Sequence, residues 1–192
     1  MSLIPAFEIG VWNAWIFTLY LPLHPLVMML IDKAVGTGDM SKKMENYAHN
    51  KVDKITFIFA NFIFFFGLFV YSIFLPLKLG TAWFYIGLTL CLLGVIVWTI
   101  AIVNAVKVPL GNPFNKGLYR YSRHPMTLSS FYIYIGAGIA SASWVFLLLS
   151  IVLIVLTLVL TRVEERHCLE KYGDSYREYM TKTPRWMGIP KP

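Results

Sequence analysis

Five long runs of apolar residues, separated by polar segments, form the main pattern along the chain. They extend over residues 11–31, 55–75, 82–105, 125–140 and 144–161. A helix rises about 1.5 Å per residue, so about 20 apolar residues cross the roughly 30 Å hydrocarbon core of a bilayer. The pattern therefore predicts an all-α membrane protein with five transmembrane helices, of which the fourth is short.

Composition supports this class and excludes an ordinary soluble domain. Of the 192 residues, 57% are hydrophobic and only 14% are charged, and the mean hydropathy is +0.62. Soluble domains carry about 25% charged residues. We expect a single membrane domain over residues 1–192, with three N-terminal spans in 1–105. Residues 106–192 then form a polar loop, the last two spans and a polar tail.

The basic residues predict how the helices are oriented. Of the 17 Lys and Arg residues, all but Lys78 fall in the segments 32–54, 105–125 and 162–192. Five spans place these three segments on one side of the membrane, which the positive-inside rule makes the cytoplasmic side. We expect the N-terminus outside and the C-terminus in the cytoplasm. The net charge of +7 thus indicates topology and not a nucleic-acid partner.

Two polar clusters flank the last pair of spans. Residues 119–127 (Tyr-Arg-Tyr-Ser-Arg-His-Pro-Met-Thr) precede the fourth span, and Glu164-Glu165 follow the fifth. The turn at 141–143 is so short that these two spans must form an antiparallel hairpin. The fifth helix is also compatible with continuing beyond the membrane to Tyr172. Both clusters are therefore expected on the same cytoplasmic face.

Each cluster has a structural and a functional interpretation. The carboxylates are either a solvated helix end balanced by Arg162 and Arg166 or a site for the ammonium of an amino-acid-like cofactor. The triplet Arg123-His124-Pro125 is either a basic anchor with proline in the first helical turn or part of that site. No catalytic triad, dinucleotide fingerprint or phosphate-binding loop is present. His124, His167 and Cys168 follow no zinc spacing, so no metal is expected.

His24 lies inside the first span between Pro22 and Pro25. A proline removes a backbone donor, so the histidine could bond to a carbonyl that the proline leaves unpaired. An intramembrane polar contact of functional importance is the alternative, because ionisable groups within membranes often mark functional sites.

The polar clusters also carry a resemblance. Gly117-Leu-Tyr119-Arg-Tyr-Ser-Arg123-His124-Pro125, a membrane hairpin and then Glu164-Glu165 resemble the isoprenylcysteine carboxyl methyltransferase and phospholipid methyltransferase family. The tail from Glu165 to Tyr179 is similar to the same family, and the resemblance covers about residues 104–187. The chain resembles small prokaryotic members, which implies the cytoplasmic membrane of a prokaryote, with the active site facing the cytoplasm.

The resemblance implies an enzyme that uses S-adenosyl-L-methionine to methylate a lipophilic acceptor in membrane lipid. Arg123 and His124 would be catalytic. The residues implied to bind the cofactor are Asn104, Tyr119, His124, Pro125, Thr127, Glu164 and Glu165. The favoured acceptor is the carboxylate of a prenylated cysteine, and the amine of a phospholipid is the alternative. An NADPH-dependent sterol-type reductase and a non-enzymatic scaffold or transport subunit are the competing functions.

Two residues depart from the family pattern. Thr127 stands where many members have tyrosine, and Leu160 stands where the carboxyl methyltransferases have the arginine that holds the acceptor carboxylate. Methyl transfer mainly needs positioning in a dry site, so no triad is required. An amine acceptor would need a base, for which His124 or a glutamate is available. We also expect the acceptor to enter from the membrane along the small face of the fourth span, at Gly136 and Gly138.

Overall fold

The structure is a computed structural model that describes residues 7–40, 42 and 66–191. This described part is helical and contains no β-strand, in agreement with the predicted all-α class. Its α-helices are α1 (Trp15–Thr18), α2 (Tyr20–Val35), α3 (Gly67–Ser72), α4 (Ala82–Val106), α5 (Pro125–Ala140), α6 (Trp144–Tyr172) and α7 (Asp174–Lys182). A short 3₁₀ helix (Gly117–Arg120) lies in the polar loop between α4 and α5.

Three helical stretches are long and apolar enough to cross a bilayer among the residues described. They are Trp15–Val35, Ala82–Val106 and Trp144–Tyr172. α5 has 16 residues, as its sequence predicts, and is shorter than a usual span. The second predicted span, 55–75, lies mostly outside the described residues, which include only α3 from it. An integral membrane protein is thus supported, while the five spans and their orientation stay predictions.

The first span continues beyond the predicted residue 31. α1 and α2 are separated at Leu19, and α2 then runs through Pro25 to Val35. The polar residue Asp32 stays within the helix because its carboxylate accepts hydrogen bonds from the backbone that follows the helix. Its two oxygens accept hydrogen bonds from the backbone N–H groups of Gly38 (3.1 Å) and Met40 (3.0 Å). These bonds satisfy a buried carboxylate at the end of α2.

Small residues bring α4 and α5 into close contact. A Cβ added at Gly94 would lie 2.8 Å from the backbone oxygen of Ser129, and one added at Gly136 would lie 2.7 Å from the sulfur of Cys91. A Cβ added at Gly138 would lie 2.6 Å from the side chain of Leu147 in α6. The expectation that Gly136 and Gly138 leave space for an acceptor chain is therefore wrong. Helix packing fills the space beside both glycines.

The predicted hairpin of the last two long helices is confirmed. Ala142 adopts a positive φ of 51° in the connecting turn, and the hydroxyl of Ser143 accepts a hydrogen bond from the N–H of Phe146 (3.2 Å) at the start of α6. α6 then continues without a break to Tyr172, where Gly173 (φ 55°) ends it. Its last turns carry Glu164 and Glu165 past the apolar stretch to the N-terminal end of α5.

Candidate active site

Local turn chemistry places His124 at the start of α5. The hydroxyl of Ser122 accepts a hydrogen bond from the backbone N–H of His124 (3.1 Å), and Pro125 occupies the first helical turn. Proline suits that position because the N–H it lacks would have no partner there. The imidazole is consequently held at the point where α5 meets the end of α6.

Glu165 is the centre of a buried ion-pair cluster. Its side chain is only 3% exposed, and its Oε1 lies 3.1 Å from Nε2 of His124. The guanidinium of Arg185 donates from Nε to both carboxylate oxygens, at 3.1 and 3.0 Å. Nε of Arg123 lies 3.2 Å from Oε1. Glu165 is therefore not a solvated helix end, and its partners are not Arg162 and Arg166.

Glu164 has a different environment, although it is the adjacent residue. Its side chain is 30% exposed, and its Oε2 lies 3.5 Å from Nδ1 of His124. The two ring nitrogens of His124 thus face two different carboxylates. Burial alone would lower the pKa of His124, but its hydrogen bonds to Glu164 and Glu165 and their negative charges raise the pKa to about 9. At neutral pH His124 is an imidazolium.

Arg123 keeps unused hydrogen-bonding capacity. Its side chain is 9% exposed, yet neither Nε nor one terminal nitrogen has a hydrogen-bond partner among the described residues. The distance from Nε to Glu165 is that of an ion pair, but the N–H is not directed at the carboxylate oxygen. Buried N–H donors are normally paired, so these two indicate a place for an acceptor group.

A cavity of about 330 Å³ opens beside this cluster. This volume lies within the roughly 300–1,000 Å³ range of small-molecule sites. Polar and aromatic residues line one part of the cavity, and residues of the membrane helices line the rest. The lining residues are His24, Met28, Met40, Trp98, Pro113, Phe114, Tyr119, Arg123, His124, Pro125, Met126, Thr127, Ser130, Thr157, Leu160, Thr161, Glu164, Cys168, Tyr172, Tyr176 and Tyr179.

Most of the residues singled out from the sequence line this one cavity. Tyr119, Arg123, His124, Pro125, Thr127 and Glu164 do so, whereas Asn104 and Glu165 do not. Glu165 lies behind the cavity wall, where it contacts His124 and Arg185. Asn104 packs its amide against Gly117, whose positive φ of 60° and lack of a side chain leave room for it.

The C-terminal tail adds a part of the site that the sequence did not predict. The N–H of Arg123 donates to the carbonyl of Pro184 (3.1 Å), and the N–H of Gly188 donates to the carbonyl of Tyr121 (3.0 Å). This places Arg185 on Glu165 and the ring of Trp186 5.8 Å from that of His124. The only signal in the sequence was a pair of adjacent carboxylates that need cations, and Arg162 and Arg166 lie nearer to them in the chain.

A second missed set consists of the tyrosines of α6 and α7. Tyr172, Tyr176 and Tyr179 line the cavity, although only their helical spacing was noticeable in the sequence. The hydroxyl of Tyr179 donates to the backbone carbonyl of Tyr119 (2.7 Å) and so ties α7 to the 3₁₀ helix. Burial raises the pKa of the Tyr119 and Tyr179 phenols, which therefore stay neutral. Together they give the cavity an aromatic wall.

The described residues contain no group of three or more His, Cys, Asp or Glu side chains arranged to hold a metal ion. What the site offers instead is a carboxylate, two buried guanidinium N–H groups and several aromatic faces. Such a set suits a zwitterionic, partly aromatic ligand.

The fold and the cavity place the protein in the class of membrane proteins that carry a polar small-molecule site at the ends of their helices. Within that class, the family model described as phospholipid methyltransferase matches residues 82–175. This part of the chain, which includes the His124 and Glu164-Glu165 clusters, is similar to that family, and the resemblance found in the sequence is confirmed. The family indicates methyltransferase activity at a membrane. The comparison with curated proteins gives no match.

Proposed function

We propose that the protein transfers a methyl group from S-adenosyl-L-methionine to a lipophilic acceptor. The observation that carries this proposal is a pair of oppositely charged side chains on the cavity wall that keep hydrogen-bonding capacity for a ligand. Glu164 presents a carboxylate, and Arg123 presents buried N–H donors without hydrogen-bond partners in the described part of the chain. The methionyl end of this cofactor carries an ammonium and a carboxylate, which match them by charge.

The aromatic wall suits the rest of the cofactor. Tyr119, Tyr172, Tyr176 and Phe114 line the same cavity and offer faces on which an adenine ring can pack. Aromatic faces also attract a cationic sulfonium. Burial raises the pKa of Tyr119 and of Tyr176, so neither adds a negative charge near the ligand.

S-Adenosyl-L-methionine supplies an electrophilic methyl group when it is bound. The residues of the chain bind and orient it, keep water away and hold the cluster of charges in place. Glu165 and Arg185 fix His124, and His124 in turn contacts Glu164. Catalysis by positioning needs rigid side chains and no nucleophile of the protein. This agrees with the lack of a triad motif.

The cavity supports an amine acceptor better than a carboxylate acceptor. The carboxylate of a prenylated cysteine, which the sequence favours, needs a cation beside the reacting oxygen. Leu160 lines the cavity at the family position of that cation, and Arg123 is proposed to hold the cofactor. The membrane side instead presents neutral polar groups such as Ser130 and Thr157. We infer that the acceptor is the amine of a membrane lipid, such as a phospholipid amine.

Calorimetric titration of the purified protein with S-adenosylhomocysteine tests the cofactor. The Arg123→Gln variant should bind it about 10- to 150-fold more weakly, because a charge-assisted hydrogen bond contributes about 1.5–3 kcal/mol. Arg120→Gln is the matched control, since Arg120 is exposed and does not line the cavity. If the two variants bind S-adenosylhomocysteine with equal affinity, Arg123 does not take part in cofactor binding.

Binding of NADPH without binding of S-adenosylhomocysteine would favour the reductase and refute the proposal. Binding of neither would favour a non-enzymatic scaffold. Transfer of a labelled methyl group is then compared in vesicles that contain either phosphatidylethanolamine or a prenylated cysteine. Transfer to the amine alone supports the acceptor proposed here, and transfer to the carboxylate alone contradicts it.

A further inference from the structure

An amine acceptor requires a base, and the residues nearest the cofactor site cannot supply one. Lipid amines are protonated near neutral pH, and the nitrogen lone pair must be free before it can attack a methyl group. Both ring nitrogens of His124 already face carboxylates, so this ring holds its protons. Glu165 is bonded to Arg185 and His124 and does not line the cavity. Glu164 lines the cavity but is proposed to bind the cofactor ammonium, so we look for the base elsewhere on the cavity wall.

His24 is a histidine of the membrane-spanning part that lines the same cavity. Its Nδ1 lies 2.5 Å from the backbone oxygen of Leu21. In a regular helix that oxygen would accept a hydrogen bond from residue 25, but Pro25 has no N–H. The structural interpretation of this histidine is therefore confirmed, since it satisfies a carbonyl that the proline leaves free.

The same contact determines which nitrogen of His24 is basic. A carbonyl oxygen only accepts, so Nδ1 must carry the hydrogen of this bond. In a neutral imidazole the other nitrogen, Nε2, then has a free lone pair. Nε2 has no hydrogen-bond partner among the described residues. The hydrogen bond to the carbonyl that Pro25 leaves free thus fixes the tautomer of His24, a residue of the cavity wall, with Nε2 as its proton acceptor.

Trp98 provides a surface on which a cation can bind beside His24. The centres of the two rings are 5.2 Å apart, and Trp98 is only 4% exposed. Its indole Nε1 has no hydrogen-bond partner in the part of the chain that the structure describes. The aromatic face attracts an ammonium group, and the N–H can donate to a headgroup oxygen. A lipid headgroup with an ammonium and nearby oxygens fits this combination.

We propose that Nε2 of His24 accepts the proton of the acceptor ammonium, which makes His24 a catalytic residue of the methyl transfer. This inference rests on the proposed function. The ammonium gives its proton to Nε2, and the free amine then attacks the methyl carbon. The N–C bond forms as the S–C bond breaks, and the electron pair stays on sulfur. The product is a methylated ammonium, and His24 releases one proton to water.

The His24→Asn variant separates the structural role from the chemical one. Asparagine places an amide N–H where Nδ1 lies and can still donate to the carbonyl of Leu21, but it is not a base. We expect an unchanged unfolding temperature and affinity for S-adenosylhomocysteine, with kcat/KM for the lipid amine about 100-fold lower. His167→Asn is the matched control, because His167 pairs with Glu170 on α6 and does not line the cavity.

The pH dependence provides an independent measurement. In His24→Asn only the small unprotonated fraction of the amine can react, so kcat/KM should rise about tenfold per pH unit between about pH 7 and 9. The wild type should be nearly flat over this range. ¹⁵N NMR of the labelled ring, without any cofactor, should show an unprotonated Nε2 and a protonated Nδ1. The opposite tautomer would overturn the proposal.

The remaining outcomes distinguish the two proposals. If His24→Asn turns over the amine at the wild-type rate, His24 serves only the Leu21 carbonyl, and the methyltransferase function stands. If the wild type methylates a carboxylate but no amine, His24 is not a catalytic base, although the cofactor assignment survives. If S-adenosylhomocysteine does not bind to the wild type, both proposals are wrong.

Discussion

Replacing the two adjacent glutamates one at a time should affect two different properties, the stability of the fold and the affinity for the cofactor. Glu165→Gln removes the anion of a buried cluster and leaves Arg185, Arg123 and His124 close together without a counter-charge. Removal of one partner from a buried ion pair costs about 3–5 kcal/mol. Arg185 is one-third exposed, so water screens part of the effect, and we expect about 3 kcal/mol.

Glu164→Gln should hardly change stability. Its side chain is 30% exposed, and its one described ion pair is the 3.5 Å contact with His124. Partly exposed pairs contribute about 0–1 kcal/mol. If Glu164 holds the cofactor ammonium, however, the affinity for S-adenosylhomocysteine should fall about 10- to 150-fold. One variant therefore loses mainly stability, and the other loses mainly affinity.

Thermal unfolding in detergent and calorimetry on the same samples measure both quantities. A loss of 3 kcal/mol corresponds to a fall of roughly 6–12 °C in the unfolding midpoint for a chain of this length. A double variant, Glu165→Gln with Arg185→Gln, should recover part of the loss because one unpaired cation is removed as well. The reasoning is refuted if Glu165→Gln unfolds at the wild-type temperature, or if Glu164→Gln is the less stable variant.

Three further predictions follow from single features. The raised pKa of His124, about 9 against an ordinary 6.5, means that its contribution to stability is complete below about pH 6.5 and is lost as the pH rises through 9. Unfolding midpoints measured against pH should fall over this window in the wild type and stay flat in His124→Gln. A parallel fall in both proteins would contradict this assignment. Gly94→Ala should lower stability by about 2 kcal/mol, because its Cβ would lie 2.8 Å from the backbone oxygen of Ser129. Gly67→Ala is the control, because a Cβ added at Gly67 meets nothing within 4 Å. Equal unfolding midpoints of the two variants would show that the helices can separate at no cost in free energy. Reporters fused after Pro192 and at the N-terminus should lie in the cytoplasm and outside, respectively, and finding both on one side would exclude five spans.

The hairpin and the meeting of its two ends could be predicted from the sequence. A turn of three residues leaves two consecutive helices no choice but to lie antiparallel, so residues before the first and after the second must be neighbours. The contact between His124 and Glu165 agrees with that constraint. The length of α6 was also predictable, because nothing interrupts it before Gly173.

The partner of Glu165 was not predictable in the same way. Arg185 follows Pro184 in a tail without helical periodicity, and its position depends on backbone hydrogen bonds to residues 121–123. Such long-range contacts leave no trace in local patterns. The position of His24 on the cavity wall was hidden for a similar reason, because it depends on how α2 packs against Trp98 of α4.

Helix geometry explains why the two adjacent glutamates lie in different environments. Adjacent residues on a helix point about 100° apart, so only one of two neighbours can face a given cavity. Glu165 faces Arg185 and His124 behind the cavity wall, and Glu164 faces the cavity. A single glutamate could not both neutralise a buried imidazolium and bind an incoming ammonium at full strength. With two, the first carboxylate remains committed to the cluster while the second stays available. The side chain of His124 joins them, so any ligand that binds Glu164 meets a rigid and already charged partner, and little reorganisation is needed when it arrives.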